Sequence, residues 1–233
     1  MDISTLQSKL EFIKSLYFHE EWKDEKCRNE ILEALEEANE KIEKAFFRSM
    51  HRLVLRKHKS SIESVEKVAK KFPSILSFVD DRGNIPIQWA ALSRDSFEYV
   101  PILAKEGVKH KVGGDDARGG LLLMVDPHEN RGWNTLQQLA SVGAAGAYDE
   151  EQDARRVDVF KELRNLGLLK KNDIREHHLL GCSCYKRSEM RFKYLVNWDP
   201  DALIETRGNV PLIHYMSSSS EETLLIALKA AFQ

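Results

Sequence analysis

The sequence predicts an all-α protein in which one helix–turn–helix unit is used several times. Three observations carry that reading. Apolar residues recur at steps of three and four over long stretches, the spacing that lines one face of a helix. The phrase RGNIPIQWAA at residues 82–91 returns as RGNVPLIHYM at residues 207–216. Gly or Pro stands where these helical patterns stop, which is how helices are commonly ended.

The composition allows such a fold. With 233 residues and 42% of them hydrophobic, the chain can bury a sizeable core and is not disordered overall. Lys and Arg (35) nearly balance Asp and Glu (37), so no global field draws it to nucleic acid or to an anionic membrane. The longest apolar run, GLLLMV at residues 120–125, is far too short to span a bilayer, and the N-terminus lacks a basic segment followed by an apolar one. Cys27, Cys182 and Cys184 cannot all pair within the chain, which argues against a disulfide framework. A soluble protein of a reducing compartment, the cytoplasm, is the expectation.

Taken in order, Ile3, Leu6, Leu10, Ile13 and Tyr17 form one helical stripe. After the polar break HEEWKDEK, Ile31, Leu35, Ala38, Ile42 and Ala45 form a second, continued by Phe46, Met50 and Leu53. Heptad spacing fails at Ser49 and Arg52, so a packed helical hairpin over residues 1–60 is expected in place of a long coiled coil. The basic cluster Arg56, Lys57, His58 and Lys59 suits a helix C-terminus and carries no interleaved aromatics. Ser60 and Ser61 then offer caps to a new helix, IESVEKVAKKF, and a boundary is placed near residue 60.

Beyond that boundary the opening phrase has a third copy, RGWNTLQQLA at residues 131–140, and a cryptic fourth, NDIREHHLLG at residues 172–181. These place Ile85, Asn134, Ile174 and Val210 at one equivalent position, with spacings of 49, 40 and 36 residues. Such periods belong to helical solenoids. Gly83, Gly132 and Gly208 can take the positive φ of a tight turn, and Pro86 and Pro211 suit a first helical residue. Asn134 can cap its helix, whereas Ile85 and Val210 cannot. Each second helix is expected to stop at a glycine (Gly107, Gly167) or at a proline (Phe72-Pro73, Asp199-Pro200). The segments KHKVGGDDARGG at 109–120 and GAAGAYDEEQDARR at 143–156 look like surface-loop insertions.

These residues resemble the ankyrin repeat, whose signature is a Gly turn, Thr-Pro-Leu-His, an exposed position, two alanines, and a second helix ending in Leu-Leu-x-x-Gly. GNIPIQWAA is similar to it with Ile85 for Thr, Ile87 for Leu and Gln88 for His. GNVPLIHYM keeps Pro211 and Leu212 but carries Tyr215 and Met216 at the alanine positions. His177 falls at the family's His position, where the imidazole orders backbone, and Glu176 falls at its Leu position. The resemblance covers residues 61–233 as about four units, and implies an ankyrin-like helical-hairpin solenoid that binds a protein partner without enzymatic activity. The implied binding strip holds Arg82, Asn84, Trp89, Arg131, Trp133, Gln138, His178, Arg207, Asn209 and His214. Arg, Trp and polar residues are favoured at such surfaces. Trp89 and Trp133 have a second reading, as packing against a neighbouring repeat or an inserted loop.

The chemistry-bearing motifs are few. HHLLGCSC at residues 177–184 compresses His177, His178, Cys182 and Cys184 into eight residues, tighter than structural zinc sites are built. VGGDDARGG lacks the Lys-Ser or Lys-Thr and the preceding strand of a phosphate loop. No nucleophile elbow is present. A zinc- or phosphate-dependent enzyme built on these two segments is the alternative function; no catalytic residue, metal or cofactor is assigned. SSSS at residues 217–220 should cap a last helix whose sequence, LLIALKAAFQ, is apolar for the end of a solenoid. A partner there, self-association through that helix, or a longer parent chain is expected.

Overall fold

Ser61 begins the first helix. Its hydroxyl accepts from the Ser64 N–H at 3.2 Å, and α1 (Ile62–Lys71) follows with Glu63 in its first turn and Lys70 and Lys71 in its last, complementing the helix dipole. α1 ends at Phe72, where Pro73 opens a short 3₁₀ turn, Pro73–Ser77. The later helices are α2 (Pro86–Leu92), α3 (Val100–Lys109), α4 (Thr135–Ser141), α5 (Glu150–Asn165), the single turn α6 (Asp173–Glu176), α7 (Leu179–Cys184), α8 (Glu189–Trp198) and α9 (Glu221–Ala231). One two-residue pairing accompanies them: β1 (Thr206–Arg207) runs antiparallel to β2 (Val210–Pro211) in the register Thr206↔Pro211, Arg207↔Val210. The computed structural model describes residues 61–80, 83–124, 132–141, 149–184, 188–204, 206–207, 210–212, 216 and 220–231, all within one compact unit, Met50–Gln233. The hairpin expected over residues 1–60 lies outside them.

The helices form two rows. The short helices α2, α4 and α7 pack in series, and the other row runs α1, α3, α5, α8, α9, each against the next. Cross-contacts such as α2 on α3 and α7 on α8 join the rows. Phe97, Leu103, Leu136, Leu139, Phe160, Leu163, Leu179 and Phe192 are buried along the seam, so the core is one continuous strip. Ala90, Ala91 and Ala140 have no exposed surface, which is how helices this short approach closely.

Several sequence expectations are met residue by residue. Pro86 is the first residue of α2, and Gly83 and Gly132 have φ of 79° and 64°. Asn134 caps α4: its Oδ1 accepts from the Gln137 N–H at 3.0 Å, and Gln137 Oε1 accepts from the Asn134 N–H at 2.9 Å. Ile85 cannot return that bond, yet Gln88 Oε1 still accepts from its N–H at 2.8 Å, so half of the same arrangement persists. Gly167 has φ 70° and closes α5, with its N–H on the Arg164 carbonyl and that of Leu168 on Leu163, both at 2.9 Å.

Other expectations are corrected. Gly107 is no helix terminator: α3 runs on to Lys109, and a Cβ at Gly107 would meet the Gly119 carbonyl oxygen at 2.5 Å. The glycine is needed there because backbone crosses backbone. Residues 109–120, expected as a surface loop, are folded in part. Val112, Ala117, Gly119 and Gly120 are buried, the Gly120 carbonyl accepts from Thr135 Oγ1 at 3.2 Å, and just beyond it Leu123 O accepts from Gln88 Nε2 at 3.0 Å. The segment fills the space between α3 and α4. Residues 150–156, also read as loop, are the first turns of α5, capped by Asp149 through the Gln152 N–H at 3.1 Å. In the fourth copy the helix that stacks on α4 starts at Leu179, not near Ile174. A single turn, α6, and the positive φ of His178 (50°) intervene. Val210 and Pro211 form a strand where the equivalent Ile85 and Pro86 begin a helix.

Two buried arginines join the rows. Arg156 on α5, 3% exposed, donates to the carbonyls of Ala91 and Ser93 at the end of α2, both at 3.2 Å, and its guanidinium lies 4.2 Å from the Phe97 ring centroid. Arg191 on α8, also 3% exposed, donates to Leu139 O at 2.6 Å and Ala140 O at 2.9 Å at the end of α4, and pairs with buried Asp153 of α5 at 2.5 Å. The other oxygen of Asp153 accepts from the Met190 N–H at 2.8 Å. Carbonyls left open at a helix end need donors. Here each set receives them from a guanidinium on a later long helix.

Two predictions follow from this packing. Gly107→Ala should destabilise the fold by about 1–3 kcal/mol, because the new methyl meets backbone that cannot rotate away; urea denaturation followed by circular dichroism measures it. Arg191→Met should cost about 3–5 kcal/mol by stranding the Asp153 charge, and Asp153→Asn in the same chain should recover part of that loss.

Candidate functional site

The short helices are preceded by turns, and Asn84, Trp133 and His178, three of the residues expected to face a partner, lie in them. In the first, Asp80 organises the backbone: its Oδ1 accepts from the Asn84 N–H at 2.7 Å, its own N–H donates to Asn84 O at 3.0 Å, and its carbonyl accepts from the Gly83 N–H at 3.0 Å. Asp80 Oδ2 takes the indole N–H of Trp89 at 2.5 Å. Trp89 is therefore half-buried and bound to the turn ahead of its own helix, where its indole holds its own unit together. Asn84 is 1% exposed inside that turn, so it does not reach a surface strip.

Gln138 also departs from its expected exposure. It is 1% exposed, because α4 lies between α2 and α7, and neither its Oε1 nor its Nε2 has a partner among the described residues. Trp133 is half-buried and His178 is exposed. The backbone of Arg207 lies in β1. Arg82, Arg131, Asn209 and His214 fall outside the described residues. Of these residues, Trp133 and His178 keep exposed surface, while Asn84 and Gln138 lie in the interior.

The segment HHLLGCSC does not come together as a metal site. Cys182 and Cys184 are buried in α7, and His178 is exposed in the turn ahead of it. Nor does VGGDDARGG form a phosphate cradle: Asp115 and Asp116 stand exposed in it, and Arg118 leaves it to donate to Leu168 O at 3.2 Å and Asp173 Oδ2 at 2.5 Å.

Arg118 opens a line of ion pairs along the turns that the sequence reading did not single out. Arg175 of α6 grips Asp199 through two bonds, Nε at 2.6 Å and Nη2 at 2.7 Å, and reaches Asp201 at 3.4 Å; Lys171 stands 3.5 Å from Asp199. The Arg175 hydrogen bonds, followed by the Arg175 and Lys171 charges, hold the buried Asp199 carboxyl below its ordinary value. The one local signal was Asp199 itself, a carboxylate left at a helix end by the proline after it.

A second surface lies between the last two long helices. Glu189, Lys193 and Asn197 of α8 face Leu225, Ile226 and Lys229 of α9 across an open groove. Ser220 ties its end, donating to Glu189 Oε1 at 2.6 Å while accepting from the Thr223 N–H at 3.2 Å as the cap of α9. Leu225 is 47% exposed. No helix among the described residues is long and apolar enough to cross a membrane.

Because Asp199 titrates below its unfolded value, its contribution is complete above that value, near pH 3.9, and is lost as the pH falls through the folded one. Asp199→Asn should lower stability at pH 7 by about 1–2 kcal/mol, discounted for the part-exposed Arg175, and should flatten the acid limb of the stability curve. Urea titrations between pH 2.5 and 7 measure both.

In comparisons with known proteins, no family model, no curated protein and no solved structure matches this chain.

Proposed function

We propose that the chain is a non-enzymatic, ankyrin-like scaffold of the cytoplasm that holds a protein partner on the side of its short helices. The observation that supports this reading is the double row: within each row every helix packs on the next, α2 on α3 and α7 on α8 join the rows, and helical solenoids stacked in this way present extended surfaces for partners. Its polar groups in the interior and in the turns serve architecture. Arg156 and Arg191 satisfy helix ends, and Asp80 and Asp199 fix turns. Trp133 and His178 are the anchors that this reading assigns from the original strip.

The partner captured from native extract would be identified, purified and titrated against the purified chain by calorimetry. The double variant Trp133→Ala, His178→Ala should bind at least tenfold more weakly with unchanged circular dichroism and Tm. Equal affinity in the double variant rejects the strip as the binding face. Trp89 is unsuitable for this test, because removing its indole also breaks the bond to Asp80.

A further inference from the structure

The helical turn α6 and the residue after it gather three side chains of ligand type. Asp173, Glu176 and His177 stand at positions i, i+3 and i+4, and one oxygen of each carboxylate and one imidazole nitrogen lie within 4.8 Å of one another. Asp173 has no exposed surface. Its Oδ2 is fully engaged, accepting from Arg118 Nη1 and from the Lys170 N–H at 2.6 Å. Its Oδ1 is buried and has no partner among the described residues, and the same is true of His177 Nε2.

Leaving buried polar atoms unmade costs about 1–3 kcal/mol each, so two in one small cluster need an explanation. A carboxylate oxygen only accepts, and the unprotonated nitrogen of a neutral imidazole does the same. A cation answers both at once. The flexible Glu176 carboxylate, at the exposed edge, can close the triangle.

We propose that Asp173, Glu176 and His177 form a binding site for a divalent metal ion of the zinc class. One nitrogen and two oxygens suit zinc or cobalt, at about 2.0–2.2 Å from the ion, whereas calcium and magnesium favour all-oxygen shells of six or more ligands. Reaching that geometry requires any pair of ligand atoms that stands at the 4.8 Å limit to draw in to about 3.4 Å. Arg118 takes the role of the outer partner that fixes a ligating carboxylate, since it binds Oδ2 and leaves Oδ1 to the metal. Its positive charge also weakens the site, and a micromolar affinity is expected. Three protein ligands leave a fourth position for water or for a ligand carried by a partner. This set excludes His178, Cys182 and Cys184.

The test uses the full chain, stripped with chelator and titrated with Zn²⁺ by calorimetry and with Co²⁺ by visible absorption. One ion per chain, tetrahedral Co²⁺ bands and a raised Tm are expected. Glu176→Gln and His177→Ala should each weaken binding at least tenfold, while Cys182→Ser should leave it unchanged. Glu176 is exposed, so its variant folds whatever happens at His177. Absence of binding at 100 μM metal, binding unaffected in Glu176→Gln, or binding lost in Cys182→Ser would each overturn the proposal.

Discussion

The Arg191 guanidinium sets the condition that the middle of the structure must satisfy. A cation that is 3% exposed must find an anion and several acceptors, because a buried and unpaired charge is among the most expensive things a fold can contain. Asp153 provides the anion, and the end of α4 provides carbonyls at Leu139 and Ala140. Three helices are thereby locked into one register. Asp153 must sit early in α5 to be reached, so α5 must begin by Glu150, and the connection from α4 has to fit in the eight residues between Ser141 and Glu150.

Arg156 repeats this arrangement one unit earlier, at the end of α2, and the two guanidiniums are close enough that the charge of Arg191 also disfavours protonation of Arg156, after burial itself. Asp153 pairs with Arg191, and its charge also favours the cation of Arg156. The interior is therefore a small network and not a pair: two cations, one anion, four carbonyls and the face of Phe97. A polar network in a low-dielectric interior specifies geometry when it is satisfied throughout. It explains how α2 and α4, helices of seven residues that would be marginal alone, hold fixed ends.

The sequence disclosed what local chemistry dictates. Ser61, Pro73, Pro86, Asn134, Gly167 and Pro200 each act through backbone geometry within a few residues of themselves, and their elements start or stop where they stand. What it did not disclose depends on distant chain. Gly107 has the spacing of a helix terminator, and only the arrival of Gly119 against it shows why it must lack a side chain. The Gly-rich segment reads as a loop by composition, yet its backbone is paired by Thr135 and, just beyond it, by Gln88. Asn84 and Gln138 were placed at the surface by repeat register, which does not register how tightly α2, α4 and α7 press together. The proposed metal site combines both kinds of signal. Its i, i+3, i+4 spacing was in plain sight, but the reason to select Asp173 is the occupancy of one of its two oxygens by an arginine more than fifty residues away.

α9 aligns with α8 through their caps, Ser220 on Ser188 and Glu221 on Glu189, and on that alignment Thr223 stands where α8 carries Arg191. Among the described residues the hydroxyl of Thr223 meets that of Ser220 at 2.9 Å, and α9, which has no arginine, extends no guanidinium to the end of α7. The stack thus has a direction. Its centre is closed by buried charge, whereas the joint between α8 and α9 is closed at Ser220 by hydroxyl bonds to Glu189 and Thr223.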